Sequence, residues 1–153
     1  MPDDFFPVPG DWASSALMDR AARDADYARS IDASHDYWLD RAQRLDWITP
    51  PTKSDESSFA EADFGIQWFA DGVLNVSANC IDRHLATRGD QVAILWEPDS
   101  PDEAPRRTTY RQLHAEVCRF ANVLKRAGAR KGDRITIYMP MIPEAAFALL
   151  ACA

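Results

Sequence analysis

Few side chains in this sequence have a type and spacing that could do chemistry. Cys80 and His84 stand four residues apart, a separation that puts two potential metal ligands on one face of an α-helix. Two ligands are fewer than a structural zinc site uses, and no second pair completes them. The favoured reading is that Cys80 packs as a small apolar residue, while Asp82, Arg83 and His84 form a local polar network. His35 and His114 have no Ser or Cys at an interpretable spacing. A catalytic triad needs three groups that meet in space, so both are read as surface or capping histidines. Residues 128–134, GARKGDR, combine Gly, Lys and Arg near a helix end. Their order is not that of a phosphate-binding loop, and they precede a strand-like run instead of following one. Anions prefer helix N-termini, so this is the wrong end, and a solvated turn is expected.

Arg119, Lys125, Arg126, Arg130, Lys131 and Arg134 make residues 119–134 basic. Without interleaved aromatics that is weak as a nucleic-acid surface, and a charged exposed face is the simpler reading. The charge is also uneven along the 153 residues. Positions 1–74 hold 6 basic and 15 acidic side chains, whereas the remainder brings the total back to a net −7. An acidic first half repels phosphate backbones and anionic membranes at long range. Three cysteines without CxxC spacing are no disulfide framework and fit a reducing compartment. The opening MPDDFFPVPGDW has neither the basic nor the apolar region of a secretory signal. No apolar run reaches the roughly 18 residues of a membrane span. Cytoplasm is the expected compartment.

The elements that would position these residues follow from periodicity. Residues 13–29 favour helix with only a loose apolar face. Ser34 is expected to cap a better helix, with Trp38, Ala42 and Leu45 on one face and Pro50–Pro51 as its end. Residues 52–58 read as a polar loop and Asp71–Gly72 as a turn. Asn75 then caps a helix with Ala78, Ile81 and Leu85 on one face, and Gly89 is expected as a left-handed C-terminal cap. VAILW (92–96) and RRTTY (106–110) read as two antiparallel strands. Thr109 and Gln112 have capping-box spacing at the head of a helix over 109–127. Its stripe is Tyr110, Leu113, Val117, Phe120 and Leu124, and Gly128 ends it. RITIYMP (134–140) reads as a strand covered on both faces, with Tyr138 opposite Ile135, Ile137 and Met139. Pro143 opens a last helix with Glu144 at its positive end. That helix is apolar nearly all round and must be buried. Ending at Ala153 without a cap, it suggests a chain cut inside an element, with Phe147, Leu149 and Leu150 exposed in the piece alone. Strand, helix, strand, helix is the start of a layered α/β domain.

Residues 109–153 are specific enough to carry a resemblance. Thr109, Tyr110 and Leu113, then Gly128, Gly132 and Asp133, a hydrophobic strand, and Pro143–Glu144 resemble the opening of the adenylate-forming domain of acyl-CoA synthetases. WFADGVLNVSANCIDRHL (68–85) and YMPMIPEA (138–145) are similar to the acetyl-CoA and propionyl-CoA synthetase branch. Residues 34–63, with DYWLDRAQRLDWITPP, resemble the N-terminal extension of the acetyl-CoA synthetases. The resemblance implies an α/β fold: a helical N-terminal extension followed by the first strand-helix-strand-helix units of a layered adenylate-forming domain, incomplete. Residues 1–33 read by composition as an acidic leader, and the resemblance, which covers about 34–153, implies the extension at 34–91 and the start of the AMP-binding domain at 92–153.

The implied reaction is a two-step ligation. Acetate attacks the α-phosphate of ATP to give acetyl-adenylate and pyrophosphate, and the thiol of CoA then displaces AMP. Propionate is the alternative acid, and a noncatalytic α/β interaction module the alternative role. ATP, Mg2+ and CoA are implied for the full-length enzyme and none for this segment alone. The Ser/Thr/Gly-rich phosphate loop followed by Lys, and the lid lysine, have no counterpart here. No catalytic residue and no metal ligand is therefore carried over, and the cofactor-binding residues are unknown. Partners are expected to be acetate, ATP and CoA, with no nucleic acid and no membrane.

Overall fold

A computed structural model describes residues 6–153, which form two compact units. The first comprises residues up to Arg44 together with Thr49–Gly72, and the second comprises Leu45–Ile48 together with Val73–Ala153.

The first unit holds α1 (Gly10–Ser15), α2 (Arg20–Asp32) and α3 (Ser34–Ala42). The helical stretch expected over 13–29 is broken in two, because the Asp19 carboxylate accepts the Ala22 N–H at 2.8 Å and starts a new helix. Ser34 does not cap α3: Ala33 holds the cap position, and no side chain bonds there. The helix also stops at Ala42, well short of Pro50. The Gln43 and Arg44 amides turn back to the Asp40 and Arg41 carbonyls and tighten its last turn. Leu45 thus lies outside the helix and is exposed, and Tyr37 joins Ala42 as the buried pair. Trp38 packs edge-on against Tyr37 and Trp68, at 5.0 and 5.6 Å between centroids. The loop expected over 52–58 continues to residue 72, pinned by isolated bridges Asp55–Trp68 and Ser58–Gly65. The Gly72 amide closes the turn at Asp71–Gly72 onto the Phe69 carbonyl at 2.9 Å.

In the second unit the Asn75 side chain accepts the Ala78 N–H at 2.7 Å, as its cap role requires. A π-helical turn (Ala78–Asp82) leads into α4 (Arg83–Arg88). Gly89 does not take the left-handed conformation; its φ is −52°. It is needed for closeness instead. A Cβ there would lie 2.5 Å from the Arg111 guanidinium and 2.7 Å from the Leu85 carbonyl. Strands β1 (Val92–Trp96) and β2 (Arg106–Thr109) pair antiparallel, with a bulge between Val92 and Ile94.

Helix α5 (Tyr110–Arg126) has the full capping box: Thr109 accepts the Gln112 amide and Gln112 the Thr109 amide. It ends in a Schellman motif. Gly128, at φ +96°, bonds back to Lys125, and the Ala129 amide to Leu124. Leu113 and Val117 from its stripe join Ile81 and Phe147 in the core, with Leu85, Ile94 and Leu150 packed around them. Phe147 belongs to α6 (Pro143–Cys152). Two residues expected to be exposed in this piece, Phe147 and Leu150, are thus covered within it, because α6 lies along α5; Leu149 alone of the three stays 64% exposed.

The strand expected over 134–140 is not formed. Residues 133–140 carry no regular structure and pair with no strand among the described residues. Tyr138, expected to be covered, is 99% exposed. A strand exists only through a neighbour that takes its backbone hydrogen bonds, and none lies beside this run.

Candidate functional site

Histidine chemistry comes first, since folding gives two histidines distant partners, Asp82 for His114 and Ser54 for His35. His114, in α5, places Nε2 3.5 Å from the Cys118 thiol one turn on and 3.5 Å from the Asp82 carboxylate. The Cys118 contact corrects the reading that His114 has no Cys at an interpretable spacing, since four residues is one helical turn, whereas folding alone supplied Asp82. A nucleophile–base–carboxylate relay uses opposite ring nitrogens. Here both partners meet the same nitrogen, so the geometry is that of a helix-to-helix polar contact. His35 of α3 meets the Ser54 hydroxyl at 3.1 Å through Nδ1. Ser54 is only 2% exposed, and the contact satisfies a buried hydroxyl.

Cys80 sits exposed on the π-helical turn, while the His84 ring lies 5.3 Å from that of Tyr110. Among the described residues no group of three or more His, Cys, Asp and Glu side chains is arranged to hold a metal ion. GARKGDR forms a turn: the Asp133 carboxylate accepts the Arg130 amide at 2.7 Å, and Gly132 takes φ +93°. Within the basic stretch Arg119 pairs with Glu116, while Lys125, Arg126, Arg130, Lys131 and Arg134 are exposed.

Three constellations escaped the sequence reading. In the first unit the Asp26 carboxylate receives the Tyr37 hydroxyl at 2.7 Å and the Arg41 guanidinium. Arg41 and Arg29 both lie over the Tyr37 ring, at 4.8 and 5.5 Å. The Tyr37 hydrogen bond, then the arginines, hold the Asp26 carboxyl below its ordinary value. Asp71 is likewise lowered, by the Thr52 hydroxyl at 2.6 Å and by the Thr52 and Lys53 amides. Both are staples between segments, and residue types alone gave no sign of which acid would meet which base.

In the second unit Glu144, in the first turn of α6, pairs with Arg106 of β2 at 2.7 Å, and that pairing lowers its carboxyl. Arg106 also lies 5.6 Å over Trp96, whose indole N–H donates to the Met141 carbonyl at 2.7 Å. The hairpin is thereby tied to the start of α6. The second Glu144 oxygen, Oε2, is buried with no hydrogen-bond partner among the described residues. Glu144 also borders a groove of about 350 Å³ lined by Phe120, Val123, Met139 and Phe147, together with Glu116 and Arg119. This is the most apolar concavity described, and α5 and α6 form its walls.

Comparison with known proteins divides the chain near the middle. Residues 23–80 match the family described as acetyl-coenzyme A synthetase N-terminus, and residues 81–153 match AMP-binding enzymes. Acetyl-coenzyme A synthetase from Novosphingobium aromaticivorans is 62% identical over 97% of the chain. Its namesake from Xanthobacter autotrophicus is 54% identical over the whole chain. In both, the chain spans 23% of the relative's length. Among solved structures, acetoacetyl-CoA synthetase from Streptomyces lividans superposes with a TM-score of 0.70 at 28% identity, covering 92% of this chain and 21% of that one.

Proposed function

The chain belongs with the N-terminal segments of the acetyl-coenzyme A synthetase family of AMP-binding enzymes, and from that premise we propose that the whole protein is an ATP-dependent acetate–CoA ligase. The observation that carries this is identity of 62% and 54% to acetyl-coenzyme A synthetases along essentially the entire chain. In the proposed reaction a carboxylate oxygen of acetate bonds to the α-phosphorus of ATP and pyrophosphate leaves. The CoA sulfur then bonds to the acetyl carbon and AMP leaves. ATP, CoA and Mg2+ are the proposed cofactors and cytoplasm the proposed compartment. No helix among the described residues is long and apolar enough to cross a membrane.

Residues 1–33 are proposed as leader, 34–91 as the family's extension and 92–153 as the start of the AMP-binding domain. Among the described residues the donors do not fit a Mg2+ site, because the carboxylates are spread among staples and caps. No step of the reaction is placed on them. Positioning and charge stabilisation at the α-phosphate are assigned to the three quarters of the relatives' length that this chain does not span. What the chain contributes is a scaffold: the α5–α6 layer and the hairpin tied to it.

The test is acetate-dependent exchange of labelled pyrophosphate into ATP. The full-length protein should exchange with acetate, and faster than with propionate. The 153-residue chain should match a no-protein control. No exchange with either acid would overturn the ligase assignment. Faster exchange with propionate would overturn the choice of acid. Exchange by the short chain would overturn placement of the machinery elsewhere.

A further inference from the structure

Two Cys–His pairs in this chain stand four residues apart, Cys80 with His84 and His114 with Cys118. Four residues is one α-helical turn, so each spacing offers a thiol and an imidazole on one face. In the first pair the local winding diverts them. Cys80 lies on the π-helical turn, whose hydrogen bonds run from i to i+5 and leave residue i+4 short of a full turn. The His84 ring lies against that of Tyr110 instead, at 5.3 Å. In the second pair α5 is regular, and His114 Nε2 stands 3.5 Å from the Cys118 Sγ. The same nitrogen is 3.5 Å from the Asp82 carboxylate, which reaches α5 from the π-helical turn. Cys118 is exposed, and the His114 and Asp82 side chains are 37% and 52% exposed, so small solutes reach the thiol. Cys80, Cys118 and Cys152 are all exposed, but among the described residues only Cys118 contacts a base.

We propose that Cys118 is a thiol–disulfide exchange site, with the disulfide of a small thiol as its co-substrate and His114 as its base. Disulfides are attacked by thiolates, not thiols, so a cysteine needs a group that takes its proton. The Cys118 proton passes to His114 Nε2, and the freed sulfur attacks one sulfur of the small disulfide. A new S–S bond forms to Cys118, the old S–S bond breaks, and the departing thiolate takes that proton from Nε2. Cys118 is oxidised and half of the small disulfide is reduced to a thiol, with no other oxidant required. Asp82 meets the nitrogen that holds the transferred proton, so it stabilises the imidazolium while the proton is there. Two partners on one nitrogen therefore suit exchange at sulfur, whereas a hydrolytic relay uses opposite nitrogens. Asp82 acts through His114 and is a positioning residue.

The test exposes the full-length protein to glutathione disulfide at neutral pH and follows each cysteine by peptide mass spectrometry. Mixed disulfide should form at Cys118 at least about 10-fold faster than at Cys80 of the same molecule, since a positioned base contributes about 10²–10⁴-fold. His114→Gln should bring Cys118 down to the rate of Cys80 and leave Cys80 unchanged. Asp82→Asn should slow Cys118 by a smaller factor, and Asp82→Glu should restore it. Cys118 reacting no faster than Cys80 would overturn the proposal, as would a fast Cys118 in folded His114→Gln. If His114→Gln does not fold, Asp82→Asn decides, and an unchanged Cys118 rate there overturns it. Ligase activity of the same sample bears on the family reading alone, and its absence leaves the thiol assignment standing.

Discussion

Among the described residues the buried side chains of the first unit are Tyr37, Ala42 and Ser54, and those of the second are Ile81, Leu113, Val117, Pro143, Phe147 and Ala148. The first is held largely by directional contacts: Asp26 to Tyr37 and Arg41, Asp71 to Thr52 and Lys53, His35 to Ser54, and edge-on aromatic rings. Helix α2 buries no residue at all. The second unit is held by apolar removal from water, with hydrogen bonds mainly closing its helix ends. Directional staples fix geometry but depend on protonation state, and exposed ones contribute little net stability. Apolar burial is indifferent to pH and scales with area. The two units should therefore answer differently to the same perturbations.

The largest expected effect lies in the second unit. Leu113→Ala removes a side chain that is 4% exposed at the centre of the cluster with Ile81, Val117 and Phe147. It should cost about 2–5 kcal/mol, with the cavity adding to the lost transfer energy. Urea denaturation followed by helical circular dichroism would show it, and protection in α2 and α3 should not fall in step. A loss below about 1 kcal/mol would mean that the core is less well packed than described.

Next in size is the capping box. Thr109→Ala strips the acceptor from the Gln112 amide and should cost about 1 kcal/mol. Fraying should be confined to the first turn of α5, as seen by hydrogen exchange of its N-terminal peptide. Thr109→Ser should restore most of the loss, because the hydroxyl remains. Equal loss in both variants would shift the cause to packing of the Thr methyl group.

The smallest effect, and the one that separates the units most cleanly, is acid sensitivity. Asp26 and Asp71 have folded-state values below the ordinary 3.8. A depressed carboxyl contributes stability that is present above its unfolded value and is lost as pH falls through its folded value. Protection in α2–α3 and the 52–72 loop should therefore decline as pH drops below about 4, while the middle of α5 keeps its own and acid loosens the second unit only at the Glu144–Arg106 tie between β2 and α6. Asp26→Asn should weaken α2–α3 at neutral pH and flatten that decline. An identical acid response in both units would end the distinction drawn here.

The sequence by itself determined the local elements whose causes are local. The Thr109 capping box, the stripe of α5, the Gly128 terminus, the Asn75 cap and Pro143 at the head of α6 were all legible, because a helix end or face is decided within a few residues. The adenylate-forming resemblance was legible for a similar reason, since its motifs sit in those turns. Tertiary structure decided the rest. It chose Tyr37 over Leu45 as the buried residue of the α3 region, because Asp26 and Arg41 draw Tyr37 toward α2. It made Gly89 a matter of closeness to the Leu85 carbonyl instead of handedness. It joined Arg106 to Glu144, and His114 to Asp82, across separations that no spacing rule reads. It also left 134–139 unpaired despite its strand composition. A helix finds its hydrogen bonds within itself, but a strand must be given them by a neighbour.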